Sequence, residues 1–176
     1  MRPALLLCLI ATSAAAQAPD TVSPRIVSLE TGVICPPESV GIVPAPGTVA
    51  GTTHLIEDDP PFVSTAARVP AVIGIGFGAK AMAAGLIGLS DVEVVVTHPP
   101  MGDAGASRQT YRTSIGALEP SFTFYQFDYD YELLPGLWQI EAQKDGETLY
   151  RKTFEVVPPE ELPALARICG FEHLLS

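Results

Sequence analysis

From Tyr125 to Leu133 the chain alternates strictly: Tyr125, Phe127, Tyr129, Tyr131 and Leu133 share one parity, and Gln126, Asp128, Asp130 and Glu132 share the other. A period of two belongs to a half-buried strand, so this pattern predicts a strand over 125–133 with an acidic solvent face. Leu134-Pro135-Gly136 turns the chain, and 137–143 alternates again with Trp138, Ile140 and Ala142 on one side. Another strand is predicted over 148–157. Parity decides the turn between these two. A two-residue Asp145-Gly146 turn pairs Trp138 with Thr153 and mixes a buried face with a polar one. A three-residue Lys144-Asp145-Gly146 loop sets Trp138 against Lys152 and Ile140 against Tyr150, and is the expected register.

Upstream, RIVSLETGVI at 25–34 predicts a first strand that Pro36-Pro37 stops. Prolines and glycines between 38 and 68 leave room only for short edge segments such as 52–57. Gly74-x-Gly76-x-x-Ala79 matches the dinucleotide-binding fingerprint, but that site needs an acidic residue at the end of the next strand. Here Val96 is followed by Thr97, His98 and two prolines. Gly74, Gly76 and Gly78 instead read as the bare face of a strand whose other face is Ile73, Ile75, Phe77 and Ala79, a face that admits close backbone approach. Further strands are expected over 91–98, ended by His98-Pro99-Pro100-Met101, and over 108–115. A short helix over 160–168, closed by Cys169-Gly170, follows the sheet.

The first sixteen residues read as an export signal: Arg2, an apolar run from Ala4, then Ala14-Ala15-Ala16 before a cut at Gln17. Cys8 lies too early in the apolar run for lipidation. The domain then spans 17–157, with a tail over 158–176, and the expected location is periplasmic or secreted. No other stretch approaches the roughly 20 apolar residues of a membrane span. With a formal net charge of −10 at pH 7, the chain is a poor candidate for nucleic acid or anionic lipid. Cys35 and Cys169 remain after processing, and in an oxidising compartment they are expected to form one disulfide that ties the first strand to the tail.

Little in the sequence promises catalysis. His54, His98 and His173 lie in separate regions and no Gly-x-Ser-x-Gly elbow exists. Asp128 and Asp130 share a strand parity, which a wet sheet face explains. His98 and Met101 beside prolines are the residues that could ligate copper or zinc. No cofactor is implied. The expected role is non-catalytic binding of an envelope protein or ligand across Asp128, Asp130 and Glu132, or through the loop bearing His98 and Met101.

Two resemblances add to this reading. Leu134-Pro135-Gly136-Leu137-Trp138 resembles the Leu-x-Pro-Gly corner of fibronectin type III and related immunoglobulin-like domains, with Trp138 departing from the tyrosine usual there. THPPMG at 97–102, YQFDYDYEL at 125–133, PGLW at 135–138 and KTFEV at 152–156 together resemble an uncharacterised family of short exported bacterial domains, a domain of unknown function. That resemblance implies a shared fold and compartment and brings no activity. The expected fold is all-β, an antiparallel immunoglobulin-like sandwich with a short C-terminal helical tail.

Overall fold

Trp138 and Phe77 meet edge to face, ring centroids 5.8 Å apart, between two facing sheets. The computed structural model describes residues 17–175, so the expected export signal over 1–16 lies outside the described residues. The strands are β1 (Thr21–Val22), β2 (Ile26–Ile34), β3 (Ser39–Pro44), β4 (Thr52–Ile56), β5 (Arg68–Pro70) and β6 (Gly76–Ala83). They continue with β7 (Leu89–Met101), β8 (Ala106–Ile115), β9 (Ser121–Gln126), β10 (Gly136–Lys144) and β11 (Glu147–Val157). One sheet has the order β1-β11-β10-β7-β8, the other β2-β6-β9, and β3-β4 is a separate hairpin. Pairing among the described strands is antiparallel except where β5 joins β11 in parallel.

Alternation explains the core. Phe77, Ala79, Ala81 and Ala83 of β6 face Trp138, Ile140 and Ala142 of β10 and Phe154 and Val156 of β11, all buried. The opposite face of β6 is bare at Gly76 and Gly78 for a reason visible in the geometry. A Cβ at Gly78 would lie 2.1 Å from the Thr123 carbonyl oxygen, and one at Gly32, directly across the ladder, would meet the Phe62 ring at 2.8 Å. The missing side chains let β9 and the 62–64 segment close onto the sheet. Gly74 stands apart from this face: it precedes β6 in a turn with φ +87°.

At the Pro-Gly corner the Trp138 indole N–H donates to the Leu134 carbonyl at 3.0 Å. A tyrosine corner binds its hydroxyl back to upstream backbone in the same way, so tryptophan here does the tyrosine's work.

The structure corrects four expectations. The β10–β11 turn has two residues, with Asp145 at φ 53° and Gly146 at φ 81°, the positive pair of a type I′ turn. A bulge beyond Ala142 restores parity, so Trp138 faces Phe154 and Ile140 faces Lys152. Lys152 therefore does not lie along the indole; its ammonium reaches Asp20 at 2.8 Å. Second, β7 runs through His98 to Met101 instead of stopping before the prolines. Its pairing with β10 ends at Thr97 and its pairing with β8 skips from Thr97 to Met101, so Pro99 and Pro100 interrupt no ladder bond. Third, β9 ends at Gln126, and Asp130–Glu132 form a 3-10 turn. The tail helix α1 (Pro163–Ile168) is likewise shorter than expected, because Pro163 starts it anew after a 3-10 turn over Pro159–Glu161. Cys35 and Cys169 are bonded, with Cα atoms 5.2 Å apart.

Candidate functional site

Glu132 explains why the 125–133 strand fails. Its carboxylate folds back to accept the backbone N–H groups of Asp128 at 2.6 Å and Tyr129 at 2.9 Å, and the Tyr125 hydroxyl at 2.6 Å. Three donors for one carboxylate outweigh continuation of the strand. Burial pushes the Glu132 carboxyl above the usual range, against the downward pull of those donors. Burial, with Glu132 beside it, also raises the Tyr125 hydroxyl. Glu132 is only 3% exposed, so the expected three-carboxylate surface does not exist. Asp130 is exposed and Asp128 half-buried.

His98 and Met101 are not surface residues either. His98 packs on Trp138, ring centroids 4.9 Å apart. Its Nδ1 lies 2.8 Å from the Pro99 carbonyl, which can only accept, so Nδ1 carries the proton and Nε2 accepts from Gln109 Nε2 at 3.0 Å. Burial lowers the His98 pKa and keeps the ring neutral, partly countered by the Pro99 carbonyl. Met101 Sδ sits 3.9 Å from the same Gln109 nitrogen. Gln109 thus gathers both residues, but a metal at His98 would have to break a buried hydrogen bond at either nitrogen. Among the described residues no three His, Cys, Asp or Glu side chains group as a metal site.

Gln109 went unnoticed in the sequence because it shares the inward parity of Tyr111 and Ile115 on β8 without being apolar. Its Oε1 accepts the Val49 N–H at 2.6 Å and its Nε2 donates to the Tyr125 oxygen at 3.2 Å. A directed chain runs from Val49 through Gln109 and Tyr125 to Glu132. It ties the loop after β3, the edge strand β8 and the loop after β9 into one unit.

The β3–β4 hairpin closes over this chain. Thr110 N–H donates to the Gly47 carbonyl at 2.9 Å, and His54 Nε2 donates to Asp128 Oδ2 at 3.0 Å. Ser39 Oγ lies 2.9 Å from His54 Nδ1, so the fold assembles a serine–histidine–aspartate string that the sequence kept far apart. The Ser39 hydroxyl also lies 3.0 Å from the Gly41 carbonyl, and its single proton cannot serve both acceptors. Between hairpin and sandwich is a cleft of about 50 Å³ lined by His54, Gln109, Tyr111, Gln126, Asp128 and Glu132 among others. That holds a few waters or the end of a side chain, not a sugar ring or nucleotide.

A second feature lies in the loops between β6 and β7 and between β8 and β9. Leu86 is 89% exposed, Ile87 84% and Leu118 84%, and Leu86 and Leu118 line one shallow depression.

Two facing antiparallel sheets, with a fringe strand running parallel to the last strand, define an immunoglobulin-like β-sandwich, and a solved immunoglobulin-like protein from Pseudomonas aeruginosa is similar to it. The TM-score is 0.50 at 18% identity, over 81% of this chain and 100% of that one. The chain belongs to the family described as domain of unknown function (DUF3859), whose sequence profile matches residues 32–156. An alkylpurine DNA glycosylase from Pseudomonas fluorescens, bound to DNA containing an abasic-site analogue, is also similar in part. Its TM-score is 0.32 at 17% identity, over 51% of this chain and 28% of that one, too slight to bear on function. No curated protein sequence matches significantly. Among the described residues no helix is long and apolar enough to cross a membrane.

Proposed function

We propose that this is a non-catalytic, exported interaction module that docks a second envelope protein through the Leu86, Ile87 and Leu118 tip. The carrying observation is the exposure of these three aliphatic side chains, each above four-fifths. Leaving them in water forgoes roughly 1.5 kcal/mol or more apiece that burial would recover. Loops at the end of a sandwich can vary without disturbing the core, which suits them to recognition. Three side chains offer only a few hundred Å². Two copies meeting there fall short of the roughly 1,200 Å² of a stable pair, and the −10 charge of the chain opposes an anionic lipid surface. An apolar hollow on a different protein remains the fitting occupant.

A photo-crosslinking residue at Leu118, with a control at exposed Glu172 beyond α1, tests this in the producing cell. The expected result is one discrete adduct with another protein from position 118 alone, lost in Leu86→Ser/Ile87→Ser. An adduct of twice the chain's own mass, or equal adducts from both positions, would overturn the reading. Export is tested separately, by release on osmotic shock of a protein whose intact mass begins at Gln17.

A further inference from the structure

We propose that the β3–β4 hairpin is an acid-closed flap, clasped to the sandwich by a doubly protonated His54. The inference stands apart from the apolar tip and rests on where protons must lie. His54 Nε2 is 3.0 Å from Asp128 Oδ2, and a carboxylate oxygen can only accept, so Nε2 carries a proton. Across the ring, Nδ1 is 2.9 Å from Ser39 Oγ, and the same hydroxyl is 3.0 Å from the Gly41 carbonyl. A carbonyl can only accept as well, so the one hydroxyl proton goes to Gly41. Nδ1 is then the donor to Ser39 Oγ, and both ring nitrogens are protonated. A proton on Asp128 would satisfy the same distances, but imidazole is the stronger base of the pair and takes it.

The surroundings favour the cation. Asp128 and Glu132, from the loop after β9, share the cleft with His54, and no lysine or arginine lines it. Glu38, Glu57 and Asp58 lie together at the open end of the hairpin. Tyr111 of β8 and Tyr125 of β9 also line the cleft, and burial raises both hydroxyls, so neither ionises near neutral pH.

β3 and β4 pair with each other and with neither main sheet. The loop between them is pinned by the Gly47–Thr110 and Val49–Gln109 bonds, neither of which titrates. The strands themselves are clasped through Ser39, His54 and Asp128. When His54 gives up a proton, Nδ1 becomes an acceptor that competes with Gly41 for the Ser39 proton, and the ion pair with Asp128 becomes a neutral contact. The strands then lift from the edge of β9 while the loop stays in place. The closed flap holds a proton that the open one releases, so closure is strongest below about pH 6.5, the ordinary value for histidine, and is lost as pH rises above it. The His54 and Asp128 side chains are 25% and 29% exposed, and screening by water keeps the effect at about fivefold.

Two measurements on the folded protein test this. Nitrogen-15 spectra of the His54 ring at pH 7, where a free histidine ring is mostly neutral, should show the doubly protonated ring in the majority. A ring protonated mostly at Nε2 alone overturns the proposal. Amide-exchange protection in β3 and β4, corrected for the intrinsic pH dependence of exchange and referenced to β10, should fall about fivefold from pH 5.5 to pH 8.5. His54→Gln keeps a donor for Asp128 and cannot titrate, so its profile should be flat. Ser39→Ala removes the acceptor for Nδ1 and should at least halve the response. Where a variant does not fold, the wild-type ring spectrum decides alone. A flat wild-type profile overturns the proposal, and so does a response that survives in His54→Gln, which would assign it to Glu132.

Discussion

The Tyr125 hydroxyl donates to the buried Glu132 carboxylate at 2.6 Å, and this contact joins the end of β9 to the loop that follows it. Tyr125→Phe removes the donor and keeps the ring on Trp138. A hydrogen bond to a charged acceptor contributes about 1.5–3 kcal/mol, so the urea midpoint should fall by that equivalent with an unchanged slope.

The same carboxyl makes stability depend on pH in an unusual direction. Its folded pKa is raised by burial from the ordinary 4.5, so the folded protein holds this proton more tightly than the unfolded chain does. Its contribution is therefore fully present below about 4.5 and is lost as pH rises through the folded value. Asp20 works oppositely. Burial raises it, but the Lys152 ammonium and Thr153 outweigh burial and leave it lowered. Its contribution is present above its ordinary value of 3.8 and lost as pH falls. Melting temperatures of wild type and Glu132→Gln from pH 4 to pH 8 should show the advantage of wild type shrinking as pH rises. A widening gap would mean that the three hydrogen-bond donors outweigh burial and hold the carboxyl below its ordinary value.

Gly78→Ala places a methyl 2.1 Å from the Thr123 carbonyl oxygen and 2.6 Å from Phe124 Cα, both backbone of the adjoining strand. Destabilisation of about 3 kcal/mol or more is expected. Gly41→Ala is the control: its nearest neighbour is the Leu55 side chain at 3.8 Å, and the change should stay within about 0.5 kcal/mol of neutral. Chemical denaturation of the two variants side by side measures the difference.

Cys35→Ser/Cys169→Ser opens a loop of 134 residues. The chain-entropy estimate for closing a loop of that length is about 4–5 kcal/mol. The double variant should show that loss in its midpoint, and wild type should lose the same amount in reductant.

The sheet strands on either side of the core were legible because their alternation is set by burial; of the three glycines at period two, Gly76 and Gly78 do form a bare stretch of β6, while Gly74 lies before the strand in a turn that its spacing does not reveal. The 125–133 segment misled for a specific reason. Alternation there is real through Phe127, but past it a carboxylate finds better partners in its own backbone than in water, and no periodicity records that. The β10–β11 register failed because a bulge changes parity without changing composition. The surface assignments of His98 and Met101 failed because burial of a histidine rests on Gln109 and Trp138, residues distant in sequence. The His54–Asp128 contact joins a hairpin to a loop 74 positions away, and only the folded chain brings them together.

Cys35 directly follows the first long strand, and Cys169 lies in the tail that follows the last one. A ribosome adding about 5–20 residues per second finishes the second cysteine, 134 positions on, about 7 to 27 seconds after the first. Throughout that interval Cys35 is a thiol without its mate, available to any other oxidised or oxidising thiol it meets. The covalent ring can be sealed only once Cys169 has been made, so a disulfide that meets Cys35 before then would divert the chain into a mixed disulfide, and the order of events matters as much as the bond.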